Sequence, residues 1–275
     1  MTFGTRLRHA MDTQGPLCAG IDPHPALLDA WGLPDSAEGL ERFALTAVEG
    51  FASRVAAVKP QSAFFERHGA KGIAVLERVI AESRAAGALV VLDIKRGDIG
   101  STAQAYADAY LDPGSPLAVD AITASPYLGF GSLRPMINTA LAHDAGVFVL
   151  TLTSNPEGPE VQHAMTAGGR TVAGSLLAEI ASCNAGAETL GSIGAVVGAT
   201  IDSTRENFAV NGPLLVPGIG AQGGTADDVR RIFGESVRNV LPSSSREILA
   251  AGPDLAGLRA AADRTTAVFA RLIDT

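Results

Sequence analysis

The stretch Ala88-Leu89-Val90-Val91-Leu92-Asp93-Ile94-Lys95-Arg96-Gly97-Asp98 decides how this chain is read. Its first half is a short apolar run rich in β-branched residues, which by length and composition is a buried strand. Side chains alternate across a strand, so Asp93 and Lys95 share one face while Leu92 and Ile94 take the other. Gly97 ends the strand and Asp98 falls at the mouth of the following loop. Burying opposite charges side by side carries a heavy desolvation cost unless they are well paired. A structural ion pair at a strand end accounts for these residues taken alone. The sharper reading is a site where carboxylates hold a lysine charged and aimed at a substrate.

Working outward, short apolar runs that end in polar or glycine-rich turns recur along the chain. They are 17–22, 55–59, 89–95, 118–123, 147–153, 193–200, 214–219 and 237–241, eight candidate strands. Helical patterns lie between them. Leu40, Phe43, Ala44, Ala47, Val48 and Phe51 mark one apolar face at 3.6 spacing, and Ile73, Leu76, Val79 and Ile80 mark another, closed by Gly87. Thr225-Ala226-Asp227-Asp228 is a capping box with Asp in place of the usual Glu. Residues 255–273 form a long amphipathic helix. Near-continuous apolar strands alternating with helices imply a parallel sheet buried on both faces. Eight such units in a chain of 275 residues predict a single (β/α)8 barrel domain over residues 1–275. An open doubly wound sheet is the alternative.

Composition narrows the function. A net charge of −8 offers no basic face for phosphates, which argues against a nucleic-acid or anionic-membrane partner. No apolar run approaches the roughly 20 residues of a membrane-spanning helix. The first residues lack the apolar core of a signal peptide, and two cysteines, Cys18 and Cys183, are too few for a disulfide framework. A cytoplasmic protein is expected. The five histidines (His9, His24, His68, His143, His163) show no metal-ligand spacing, and no Ser–His or Cys–His arrangement suggests a covalent nucleophile. A metal held by carboxylates with help from a substrate stays open at this point.

In a barrel of this kind the active site forms at the C-terminal ends of the strands. There the first strand ends Gly20-Ile21-Asp22-Pro23-His24 and the second ends Val58-Lys59-Pro60. A mouth carrying Asp22, Lys59, Asp93, Lys95 and Asp98 alternates in charge sign, as a self-compensating network must. The segment 217–224, Pro217-Gly218-Ile219-Gly220-Ala221-Gln222-Gly223-Gly224, matches a dinucleotide fingerprint by letter. It follows the seventh strand rather than the first, and no acidic residue ends the next strand, so a phosphate cradle is the better reading. Glycines would let backbone N–H groups converge on the anion, with Arg246 of Ser243-Ser244-Ser245-Arg246 forking onto its oxygens. Residues 153–171, starting Thr153-Ser154-Asn155-Pro156-Glu157-Gly158, read as either a surface loop or a mobile lid.

These motifs resemble the orotidine 5′-phosphate decarboxylase family, in its longer bacterial class that also occurs in mycobacteria. The resemblance is carried by GIDPHP at 20–25, VKPQ at 58–61, DIKRGDIGST at 93–102, TASPYLGFGSLRP at 123–135, TSNPEG at 153–158 and PGIGAQGG at 217–224. The D-x-K-x-x-D core is shared with hexulose-phosphate synthases of the same barrel superfamily, whose aldol chemistry needs a divalent metal. The KRGDIG context narrows the resemblance to the decarboxylase.

The resemblance implies conversion of orotidine 5′-phosphate to UMP and carbon dioxide in pyrimidine biosynthesis, without metal or cofactor. It makes Lys95 the donor of a proton to C6 of the pyrimidine and Asp93 the carboxylate beside the leaving group. It assigns Asp22 and Lys59 to the ribose hydroxyls, Gln222 and Arg246 to the phosphate beside Pro217, Gly218 and Gly220, and Ser154 to the pyrimidine ring. It also implies a homodimer in which Asp98, Ile99 and Thr102 reach the neighbouring subunit's site. One departure stands out: a glycine commonly precedes the arginine, and here it is Ser245. A catalytically silent nucleotide-binding protein is the rival outside enzymology.

Overall fold

In the computed structural model, which describes residues 1–201, 204–220 and 223–273, eight strands close into one parallel barrel in chain order. They are β1 (Cys18–Ile21), β2 (Ala57–Pro60), β3 (Leu89–Arg96), β4 (Ala121–Ala124), β5 (Gly146–Leu152), β6 (Ile193–Val197), β7 (Leu214–Pro217) and β8 (Val240–Ser244). β8 pairs back onto β1 through Cys18↔Ser243 and Ala19↔Ser244, which excludes the open sheet. Helices on the connections bury their apolar stripes against the outside of the barrel. Helix Ala37–Phe51 is capped by Ser36 and helix Gly69–Ala85 is followed by Gly87 at φ +91°. The Thr225/Asp228 capping box opens helix Ala226–Phe233, and helix Leu255–Ile273 packs against Ala37–Phe51.

Two expected strands are displaced by local hydrogen bonds. Residues 118 and 119 give their N–H groups to Ser115 and Tyr110, so β4 begins at Ala121 rather than Ala118. Residues Gly234–Asn239 wind into a 3-10 turn that takes Val237, and β8 consequently runs from Val240 to Ser244. Gly218, at φ +100°, turns the chain out of β7 at Pro217, two residues earlier than expected. The stretch 153–171 is more than a loop: it holds the short helix Gly158–Gln162 and a bridge between Met165 and Thr171.

The barrel's N-terminal end is plugged by helix Phe3–Gln14, whose Phe3, Leu7 and Met11 lie on one face at spacing of four. They pack against the inward residues Cys18, Ala57, Val91, Ala121, Phe148, Leu215 and Leu241, with the Phe3 and Phe148 rings edge to face at 6.0 Å. Each large side chain buried there, such as Phe3, Leu7 or Phe148, contributes about 1.5–3 kcal/mol, so the closed floor is a second, smaller core beside the main one between barrel and helices. Among the described residues no helix is long and apolar enough to cross a membrane.

Candidate active site

Alternation along the strands places Gly20, Lys59, Asp93, Thr123 and Ser243 in the layer above that apolar floor. The interior thus changes from hydrocarbon to charge over one side-chain layer. Lys59 and Asp93 are almost fully buried, and Lys59 Nζ lies 3.0 Å from Asp93 Oδ2. Lys95 Nζ lies 2.6 Å from Asp93 Oδ1, with the Lys95 side chain 44% exposed toward the mouth. Asp22 joins the row from β1, its Oδ1 3.9 Å from Lys59 Nζ. The sequence Asp22, Lys59, Asp93, Lys95 alternates in sign in space as it does in expectation.

Burial alone would push the Asp93 carboxyl up, but the charges of Lys59 and Lys95 outweigh it. With hydrogen bonds from Lys95 and Thr123 they hold the carboxyl well below the ordinary range. Burial opposes the charge on Lys59 as well, and Asp93 and Asp22 outweigh it, so its ammonium is held above the ordinary lysine value. The two groups protect each other's charge, and both stay charged throughout the neutral range. Cys18, directly below, is a thiol pushed up to about 12 by burial and takes no part as a nucleophile.

Lys95 departs from the expected alternation. Its φ is +47°, a left-handed conformation that L-residues adopt rarely. β3 and β4 pair at Leu92↔Ile122 and again at Arg96↔Ala124, so β3 carries two extra residues in between. The resulting bulge lifts Lys95 out of the ladder and swings its ammonium back over Asp93. Beyond it, Arg96 is tied down by Glu66 at 2.6 Å and lies over the Tyr106 ring, and Ser125 N–H closes on Arg96 O at 2.8 Å. A Cβ on Gly97 would sit 2.3 Å from Ser125 O, so that position must be glycine for the two strands to stay this close.

Several polar atoms around the mouth have no hydrogen-bond partner among the described residues. Asp22 Oδ1, Gln61 Oε1 and Ser245 Oγ are buried and unbonded among the described residues. Buried polar groups are ordinarily satisfied, so these three oxygens stand out as free acceptors. Ser245 replaces the expected glycine, and its side chain is accommodated because β1 has Gly20 opposite: a Cβ there would lie 2.6 Å from Ser245 Cβ.

The other expected site residues are placed unevenly. Ser154 is exposed at the end of β5, beside Gly198 of the next strand end. Gln162 bonds both the N–H and the hydroxyl of Thr153, tying the start of the 153–171 segment to its own short helix. Asp98 accepts the Ile99 N–H at 2.8 Å and forms no hydrogen bond or ion pair with Lys95; Ile99 and Thr102 are exposed beside it. Gly218, Gly220 and Gly223 all take positive φ, as a tight cradle requires. The N–H groups of Gly220, Gly223 and Gly224 are spent inside the loop, on Gly224 O, Gly220 O and Gly218 O. These three N–H groups are therefore not free to converge on an anion, as the glycine pattern suggested they would be. Arg246 is exposed with no ion pair among the described residues, and Pro217 is half-buried. Gln222 lies outside the described residues.

Sequence reasoning missed Gln61, Thr123 and the Glu66–Arg96 tie. Gln61 and Thr123 lie within the quoted motifs VKPQ and TASPYLGFGSLRP, yet nothing in their spacing distinguishes a site residue from a strand end.

The matching family model is the Orotidine 5′-phosphate decarboxylase / HUMPS family, which covers residues 15–261 and hence all eight strands. The chain belongs to this family. Among curated relatives, it is 67% identical over 250 residues to orotidine 5′-phosphate decarboxylase of a Nocardioides species, covering 90% of this chain and 91% of that one. It is 63% identical over 267 residues to the enzyme of that name from Salinispora arenicola, covering 97% and 96%. Among solved structures, a candidate orotidine 5′-phosphate decarboxylase from Streptomyces avermitilis has a TM-score of 0.98 at 57% identity, covering 100% of this chain and 96% of that one. The Leishmania donovani OMP decarboxylase has a TM-score of 0.77 at 30% identity, covering both chains fully. The family match begins after helix Phe3–Gln14, so the plug at the floor of the barrel lies outside it.

Proposed function

We infer that this enzyme decarboxylates orotidine 5′-phosphate to UMP and carbon dioxide in pyrimidine biosynthesis, with Lys95 as the proton donor and no metal or cofactor. The observation that carries the reading is the Lys59–Asp93–Lys95 ion row, 3.0 and 2.6 Å at its two contacts, set at the barrel mouth. Decarboxylation breaks the C6–carboxylate bond and leaves its electron pair in the plane of the ring, where no π system accepts it. A preorganised ammonium facing that carbon stabilises the developing charge without reorganisation. Lys95 then gives its proton to C6, and its half-exposed amine takes another from water.

Asp93, kept anionic by two ammonium groups, sits beside the departing carboxylate, and crowding between the two adds strain that departure relieves. Asp22 and Lys59 hold the ribose hydroxyls, in keeping with the unbonded Asp22 Oδ1. Arg246 and Gln222, with Pro217, Gly218 and Gly220, bind the phosphate, whose binding energy orients the remote pyrimidine. Ser154 contacts the ring. A carboxylate already bonded by Lys59, Lys95 and Thr123 is a poor seat for a divalent cation, which weighs against the metal-dependent aldol reading.

The reading includes a cytoplasmic, one-domain protein working as a homodimer with shared sites. Asp98 forms no hydrogen bond or ion pair with Lys95 of its own chain, and Ile99, Tyr127 and Leu128 are 63%, 80% and 52% exposed near the mouth. Across a two-fold axis, Asp98, Ile99 and Thr102 complete the neighbour's site. Loss of orotidine 5′-phosphate absorbance with purified protein in excess chelator tests the whole reading. Persistent turnover is expected; activity that chelation abolishes and a divalent metal restores would favour the aldol class.

A further inference from the structure

We propose that Thr123 is a positioning residue that fixes the Lys95 ammonium over the reacting carbon. Its side chain is 1% exposed in the inward polar layer, and it alone on β4 faces the extra residues of the β3 bulge. The hydroxyl accepts the Lys95 backbone N–H at 2.9 Å and lies 2.8 Å from Asp93 Oδ1. The direction of both bonds is dictated by chemistry. An amide N–H only donates and a carboxylate only accepts, so the hydroxyl must accept from Lys95 and give its single proton to Asp93.

Asp93 Oδ1 is also the oxygen that Lys95 Nζ bonds at 2.6 Å. Backbone and ammonium of Lys95 are thus tied to one junction, closing a ring through Lys95 N, Thr123 Oγ1, Asp93 Oδ1 and Lys95 Nζ. This matters because Lys95 occupies φ +47°, which a lysine holds only where its surroundings impose it. The Lys95 stem is flexible and half-exposed, so its own packing does not aim the ammonium. With the hydroxyl removed, the Lys95 N–H loses its acceptor, Asp93 loses one of three donors, and the bulge loses its cross-strand anchor. Lys59 stays in place, so substrate binding persists while the proton donor is misaimed.

Thr123→Val keeps the shape and removes the hydroxyl; Thr123→Ser keeps the hydroxyl and removes the methyl. Both are compared with wild type and Lys95→Ala by kcat and KM for orotidine 5′-phosphate, by UMP affinity and by circular dichroism. Thr123→Val is expected to lose about a hundredfold in kcat, the scale of an ångström-sized misplacement, with KM and UMP affinity within about threefold. Thr123→Ser should stay within about fivefold of the wild-type kcat. Should the valine variant fail to fold, Thr123→Ala takes its place with the same expectation. A folded valine or alanine variant with kcat within about threefold of wild type overturns the proposal, as does a serine variant impaired as badly as valine. The inference rests on Lys95 as proton donor, and the reference variant separates the two. An active Lys95→Ala refutes that reading, whereas an inactive Lys95→Ala beside an active Thr123→Val refutes the role of Thr123 alone.

Discussion

Replacing Lys59 with methionine removes one of the two ammonium groups that face Asp93 while preserving most of the side-chain volume. At 3.0 Å the Lys59–Asp93 attraction is about 5–6 kcal/mol for an effective dielectric of about 20. Two terms reduce the net loss: the variant no longer desolvates a lysine, and Lys95 still neutralises Asp93 from Oδ1. Breaking a buried pair costs about 3–5 kcal/mol in general, so a loss near about 3 kcal/mol is expected here. Urea unfolding at fixed protomer concentration measures it, because association would otherwise shift the midpoints.

The same substitution made in an Asp93→Asn background should cost under about 1 kcal/mol, since the charge that Lys59 compensates is gone. Equal losses in both backgrounds, or a single-variant loss under about 0.5 kcal/mol, would refute the coupled row. The pH dependence supplies an independent arm. Asp93 is depressed below the ordinary 3.8, so its stabilisation is present above that value and is lost as pH falls toward the folded-state value. Lys59 is raised above the ordinary 10.5, so its share is present below that value and is lost only as pH climbs through the raised one. Wild-type stability from this row is level between those limits. In Lys59→Met the acid-side loss should be smaller and finish at higher pH, because the largest charge holding Asp93 down has been removed.

Arg246→Ala should lower kcat/KM by about a hundredfold or more, and the nucleoside without phosphate should be a poor substrate for both proteins; changes under about tenfold, or about 1.4 kcal/mol, would contradict phosphate binding at this arginine. Homodimers of Lys95→Ala and of Asp98→Ala should each be nearly inactive. Random remixing makes about half of the dimers mixed with one intact site each, so about a quarter of wild-type activity should return. No recovery, with subunit exchange confirmed by native mass spectrometry, would place Asp98 in its own subunit's site.

The barrel was legible because each strand is an apolar run buried on both faces, and the outward Leu92 and Ile94 against inward Asp93 followed from a period of two. Strand ends were less legible where backbone bonds compete with the ladder. Residues 118 and 119 are claimed by a preceding turn and Val237 by a 3-10 turn, and neither competition leaves a mark in hydropathy. Asp93 and Lys95 taken alone fit a structural ion pair, and the row became readable once Asp22 and Lys59 at two other strand ends were set beside them. The bulge was not, because a positive φ at lysine arises from how two strands register. Thr123 was hidden for the same reason: its hydroxyl acquires a role only once β3 gains two residues on β4. The glycine cradle was legible only in its backbone conformation. Its positive φ values were implied by Gly218, Gly220 and Gly223, but the closing of their N–H groups onto the loop's own carbonyls was not. Asp98, whose side chain accepts the Ile99 N–H, gets its proposed role from the family resemblance and not from strand periodicity.

The central claim is that Lys95 delivers the proton, and turnover by Lys95→Ala tests it most directly. In a variant with native circular dichroism and retained UMP binding, kcat should fall by about 10³-fold or more, the scale of losing both a general acid and a preorganised charge. A folded Lys95→Ala enzyme that forms UMP within about tenfold of the wild-type kcat would contradict the account.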